Sequence, residues 1–353
     1  MAQNISVKWN FGGPTPPGGR RRRRNVHRQM TLDVDPRAAR EAERVRRYFD
    51  DGYTSYYKYL GIIETGRWGV ALLCRQKKRE KPDREERWFV VKRIFDELMQ
   101  DKLHKEIKIL KRLRGAPHIV QVLAIDPDPF EALSRGALIM EYVENGTVGD
   151  IIYRMKEQVY PLPNRLLLRF FVCLLIGDPS PPGGEHDIVP ILKLIDFGEA
   201  LYDPNPYVTD MGVKTNIFHI GRLMRMLISL DTTWELPPGE VTMPVQGGGE
   251  RAISTASASI AKPNHPNLDD GLRNLVMLCT AVKVEDRPSL DWLWDTLMNL
   301  IFTRTPAYYA QRNLPWAKLE EDGAIQDLIH YIVYHYGSTN DVGIEAGEMD
   351  GIE

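Results

Sequence analysis

Cysteine is scarce in this chain, with Cys74, Cys173 and Cys279 the only three among 353 residues. They are far apart and sit among apolar neighbours, which points away from a disulfide framework or a thiolate metal site and fits a reducing compartment. Long apolar runs are missing too. The nearest approach to the run of about 18 residues that a membrane span needs is Leu166 to Gly177, which is short and contains Arg169. No apolar signal region opens the sequence, so the expected setting is cytoplasm or nucleus, with no membrane. A dominant charge sign is also absent: the net charge of −2 argues for no particular partner.

What is present is enough apolar content, 43%, to bury one large or two coupled domains. The charge is uneven along the chain. Residues 1–47 hold twelve Lys and Arg against four acids, Asp33, Asp35, Glu41 and Glu43. Arg20 to Arg24 form a basic run suited to a polyanion or an import receptor, or simply a solvated tail. Residues 1–34 have too much Gly, Pro and Arg to build a core, so a disordered basic tail is expected there.

Helical and strand signals follow in order. Asp35 and Pro36 suit the start of a helix running to Phe49. Residues 60–75 read as a hairpin with Gly66 and Gly69 in or near its turn. Trp88 to Ile94 reads as a strand whose Lys92 interrupts an apolar run. Leu98 to Leu113 reads as a helix with Glu106 beside its apolar face, and Ile119 to Ile125 and Gly136 to Tyr142 as two further strands. Beyond Asn145-Gly146 the pattern turns helical, over 148–156, 164–175, 215–230, 272–281 and 290–302. Residues 232–268 are rich in Gly, Pro, Ser and Thr and read as a flexible surface insert.

The stretch Ile191 to Gly198 organises the rest. Its apolar run reads as a buried strand ending in Asp196-Phe197-Gly198 at a sharp turn. A carboxylate there requires a cation or a hydrogen-bond donor. Taken in order, Gly66-x-x-Gly69, Val91-Lys92, Glu106, Met140-Glu141-Tyr142, Asp196-Phe197-Gly198 and Arg287-Pro288 resemble the eukaryotic protein kinases, over roughly residues 55–303. The resemblance implies an α+β, bilobal protein-kinase-like fold. A helical lead-in over 35–54 would precede a β-rich lobe with one main helix over 55–143. An incomplete α-helical lobe would follow over 144–303, and then a C-terminal extension over 304–353.

The resemblance also implies ATP and Mg2+ as cofactors and Ser or Thr of a protein as phosphate acceptor. Gly66 and Gly69 would let backbone approach the triphosphate, although Glu64 stands where the family has its first glycine. Lys92 would contact the phosphates, held by Glu106. Met140 would lie behind the adenine, Glu141 and Val143 would occupy the hinge, and Asp196 would hold the metal.

Other parts of the pattern are broken. No His-Arg-Asp-x-x-x-x-Asn occurs between residues 164 and 196. Asp178 lies 18 residues before Asp196, the spacing of the family's catalytic base, but Ile176 and Gly177 precede it and Gly183 replaces the Asn. The strand expected just after that Asn is missing as well. Downstream there is no Ala-Pro-Glu, so the usual partner of Arg287 is lost, and only 20 residues separate Asp196 from Asn216. Tyr202, Tyr207 and Thr209 lie in that shortened loop. The readings that follow are a Ser/Thr-kinase relative with impaired chemistry, a pseudokinase scaffold, or a small-molecule phosphotransferase. The abrupt junction between Cys173 and Asp178 is also what a skipped exon produces.

Overall fold

A computed structural model describes residues 7–10, 35–51, 56–76, 87–124, 136–143, 146–158, 160–175, 191–198, 200, 211–312, 314 and 316–334. The fold is mixed, with a four-stranded antiparallel sheet in the first half and mostly helices in the second. No described helix is long and apolar enough to cross a membrane.

Helix α1 (Pro36–Asp51) starts as its sequence requires, with the Asp35 carboxylate accepting from Arg37 N at 2.8 Å. The sheet has the order β2 (Tyr57–Thr65), β3 (Gly69–Gln76), β4 (Arg87–Ile94), β5 (Ala137–Glu141). Alternation along β4 separates its side chains onto two faces. Phe89 and Val91 pack under α1 with Ala38, Ala42, Val45 and Phe49. Val90 and Ile94 join Leu138, Met140 and Leu103 and Leu110 of helix α2 (Gln100–Arg112). The lead-in helix therefore belongs to the core of the sheet half. A buried ion pair, Arg93 to Glu41 at 3.3 Å, fastens α1 to β4.

The helical half comprises α3 (Val148–Met155), α4 (Asn164–Leu175), α5 (Met211–Ser229), α6 (Asp270–Cys279) and α7 (Leu290–Thr303). Helix α4 is apolar nearly all round and is enclosed, with Leu166, Leu167, Phe170, Phe171 and Val172 all buried. Strand β6 (Ile191–Leu194) leads out of this half into the Asp196 turn.

Several expectations need correction. Within the tail expected to be disordered, Val7–Asn10 forms strand β1, which pairs antiparallel with β6. Of the strand expected over 119–125, the described residues 119–124 make single bridges, Ile119 to Leu194 and Val122 to Met140, and residue 125 lies outside the described residues. The segment 232–268 holds a hairpin, β7 (Gly239–Pro244) with β8 (Glu250–Thr255). Its Met243 and Ile253 enter the helical core. Its turn uses Gly247, Gly248 and Gly249 at φ 93°, 93° and 82°, a region open to glycine at little cost. The C-terminal extension also contributes: after α8 (Pro306–Ala310), helix α9 (Asp322–Tyr334) buries Ile325, Leu328, Ile329 and Ile332 in the same core.

Candidate functional site

Three separate elements bring one cation and two carboxylates together. Lys92, on the α2 face of β4, places Nζ 2.9 and 2.8 Å from the two oxygens of Glu106 on α2. The same Nζ lies 2.8 Å from Asp196 Oδ1, in the turn after β6. Their exposures differ in a way that matters: Glu106 is 2% exposed, Lys92 25% and Asp196 46%. An ammonium has three donors, and here the two carboxylates take all of them.

The Asp196 turn is built to aim its carboxylate. Asp196 has φ 67°, in the left-handed region that Asp tolerates better than most residues. Gly198 N donates back to Asp196 Oδ1 at 3.2 Å. A Cβ on Gly198 would sit 3.2 Å from that oxygen and 3.6 Å from Glu106 Oε2, so glycine leaves room for both acids. Between them, Phe197 is buried against α2 while its N–H donates to Glu106 Oε1 at 3.1 Å. Phe197 thus locks the turn to the helix that carries Glu106.

Burial alone lowers the pKa of Lys92, but the charges of Glu106 and Asp196 outweigh it and hold the ammonium above the ordinary lysine value. Burial raises the Glu106 carboxyl, and Lys92 offsets part of that rise.

The residues expected to form a hinge lie close by. Met140 and Val143 are buried in the cluster that contains Phe197. Glu141 N donates to Gln121 O at 2.9 Å, and Glu141 Oε1 accepts from Gln121 N at 2.9 Å. Lys193 of β6 reaches the same oxygen at 2.5 Å. One backbone group of Glu141, its N–H, is therefore already in use.

The glycine pair also shapes the hairpin itself. Gly69 cannot carry a side chain because a Cβ would lie 2.3 Å from the Arg93 carbonyl oxygen. Gly66 closes the turn, its N–H donating to Gly69 O at 2.9 Å. Trp68 at the tip is 45% exposed, with the Arg67 guanidinium 4.4 Å and Lys102 of α2 5.9 Å from its ring.

Asp178, Arg20 to Arg24, Tyr202, Tyr207 and Thr209 lie outside the described residues. The Lys193 tie, the Gln121 clamp and the Glu41–Arg93 pair were not expected. Alternation along β4 does signal the last of these, since it puts Lys92 and Arg93 on opposite faces, where each needs its own carboxylate. Among the described residues no cluster of three His, Cys, Asp or Glu could hold a metal ion by itself. A cavity of about 210 Å3 lies at the start of α4, but its buried polar groups Asn164 and Glu320 are bonded to each other.

A scan against models of protein families gives no match, and neither does a search of curated proteins.

Proposed function

We propose that the chain is a bilobal, protein-kinase-like module that binds Mg·ATP at Lys92, Glu106 and Asp196, with its transfer of phosphate to Ser or Thr severely impaired. The observation that carries this reading is the three-way contact of Lys92 with Glu106 and Asp196. Such a contact aligns a half-buried cation with a half-exposed acid across two parts of the chain.

Donor chemistry fits the nucleotide. Mg2+ prefers oxygen ligands and binds through one or two carboxylates plus phosphates, and Asp196 supplies one accessible carboxylate. Bound with the triphosphate, the ion neutralises charge on the β- and γ-phosphate oxygens. The protein's part is an exchange of partners. All three Lys92 donors are occupied, so a phosphate oxygen must displace one acceptor. Glu106 is enclosed and also accepts from Phe197 N, whereas Asp196 is half exposed. The Lys92–Asp196 contact therefore gives way, freeing the ammonium for phosphate and the carboxylate for the metal. The Glu141 carbonyl and the Val143 backbone are the hinge groups that would pair with the base edge.

The impaired transfer follows from the sequence. No Asp in a His-Arg-Asp-x-x-x-x-Asn setting is available to orient the acceptor hydroxyl, and Asp178 has only the spacing. Positioning and electrostatics then remain without the base, which suits a nucleotide-responsive scaffold for a protein partner. Arg20 to Arg24 add a site for a polyanion or an import receptor.

The test is thermal. Mg·ATP at about 100 times its Kd should stabilise the protein by about 2.7 kcal/mol. Lys92→Ala should abolish that shift, with each variant compared only against its own ligand-free melting temperature. No shift at millimolar Mg·ATP would remove every ATP-binding version and leave a pure scaffold.

A further inference from the structure

Helix α5 contains no Asp or Glu along its 19 residues, and two of its cations, Lys214 and Arg222, gather at one place, whereas Arg225 pairs with Asp231 at 3.7 Å. Lys214, Phe218 and Arg222 recur at intervals of four and so share a face. Arg287, from the turn before α7, lies over the same ring: its guanidinium carbon is 4.4 Å from the Phe218 centroid, and that of Arg222 is 5.5 Å away. Arg222 also lies over the Trp234 ring at 4.3 Å, and the His219 ring stacks on the same indole with ring centroids 5.9 Å apart.

Among the described residues, Lys214, Arg222 and Arg287 have no carboxylate partner at ion-pair distance. Arg287 Nε donates to Ala281 O at 2.9 Å, and its terminal nitrogens donate to Lys214 O and Val282 O, both at 3.3 Å. Lys214 Nζ donates to the Arg287 carbonyl, and Arg222 donates to the Trp234 carbonyl. Glu235 and Glu285 act on Arg222 and Arg287 only through space. Burial lowers the pKa of His219, and the charges of Arg222 and Arg287 lower it further. The Nδ1 atom of His219 is buried without a hydrogen-bond partner. Three side-chain cations thus create a positive field that the carbonyls orient but do not neutralise.

We propose that this patch is a binding site for a phosphomonoester carried on a peptide side chain. Guanidinium forks match phosphate oxygens in shape and charge. Stacking on Phe218 and Trp234 holds both forks in place before a ligand arrives, which reduces the ordering cost of binding. Two further features select a peptide over a free ion. Val282 is 48% exposed beside Arg287, and Met211 is 54% exposed one turn from Lys214, so apolar surface flanks the cations. The site is independent of the nucleotide reading, because none of its residues touches Lys92, Glu106 or Asp196.

The experiment titrates the full chain with phenyl phosphate, inorganic phosphate and phenol while following the arginine Nε–H resonances by NMR. Phenyl phosphate should move the Arg222 and Arg287 signals saturably, bind more tightly than inorganic phosphate, and weaken as salt screens the charges. Phenol should leave them in place. Arg222→Gln should weaken binding at least tenfold. Lys214→Gln should do the same, and it serves if the first variant fails to fold. Lys92→Ala should leave the titration unchanged. An unmoved arginine signal, equal binding of phenyl and inorganic phosphate, or unaltered affinity in a folded Arg222→Gln or Lys214→Gln variant would overturn the proposal. So would loss of binding in a folded Lys92→Ala variant, which would place the phosphate in the nucleotide site.

Discussion

Gly69 shows how a single residue of a motif can also be required by the sheet around it. The spacing Gly66-x-x-Gly69 suggests backbone kept bare for a phosphate. In the fold, the bareness of Gly69 serves the sheet, since any Cβ would press within 2.3 Å of a carbonyl oxygen on the neighbouring strand. A backbone atom cannot rotate away as a side chain can. Gly69→Ala should therefore cost about 2–3 kcal/mol through overpacking, read as a fall in the urea midpoint. A Cβ on Gly66 would meet only Gly69 O within 4 Å, at 3.7 Å, so Gly66→Ala should stay within about 0.5 kcal/mol of the parent. Equal costs at the two sites would contradict the assignment. Asp196 is the opposite case. Its partner requirement follows from a carboxylate at the end of an apolar strand, and the structure supplies the partner in Lys92. What the sequence does not display is the φ of 67° that aims the carboxylate.

Among elements, those with strong local periodicity are legible in the sequence. Helix α4 spans Asn164–Leu175, the bounds that its apolar pattern predicts. Composition misleads where polar residues hide a period of two, as in the β7–β8 hairpin. Only Met243, Ile253 and Thr255 mark its buried face, amid glycine and serine. Tertiary capping is hidden for another reason, namely distance along the chain. The Glu320 carboxylate accepts from Asn164 N at 2.8 Å and Arg165 N at 2.9 Å, so it satisfies donors at the first turn of α4 from more than 150 residues away. It also accepts from Asn164 Nδ2 at 2.9 Å. Burial raises the pKa of this carboxyl, and the bonds from Arg165 and Asn164 pull against that rise. Glu320→Ala would leave buried backbone donors without an acceptor, and a loss of about 2–3 kcal/mol is expected from the missing cap and the stranded groups. Equilibrium denaturation measures it. A loss below about 0.5 kcal/mol would mean that water replaces the carboxylate.

At the scale of the whole molecule, the turn that carries Asp196 depends on chain from far away on both sides of β6. On one edge Leu194 N donates to His118 O at 2.8 Å, and Val120 N donates to Leu194 O at 3.1 Å. On the other edge β1 pairs Val7 with Leu194 through Asn10 with Ile191. A four-residue strand in a buried setting needs partners on both edges, because its inward and outward amides alternate. The internal strand that the kinase resemblance leads one to expect after the catalytic loop is absent from the sequence, and the chain's own beginning takes an edge of β6. This arrangement distinguishes the two edges experimentally. Deleting residues 1–11 should leave the Leu194 amide protected, since its acceptor is His118 O. The Lys193 amide points the other way and should exchange at least tenfold faster. Because β6 runs directly into Asp196, the same deletion should shrink the stabilisation by Mg·ATP while leaving the Lys92–Glu106 pair intact. Hydrogen exchange resolved to single amides reads the first effect and thermal shift the second. Unchanged exchange at Lys193 would show that β1 contributes nothing to holding β6. Faster exchange with an undiminished Mg·ATP shift would show that β6 stays in place without it, its position set by the His118–Val120 edge alone.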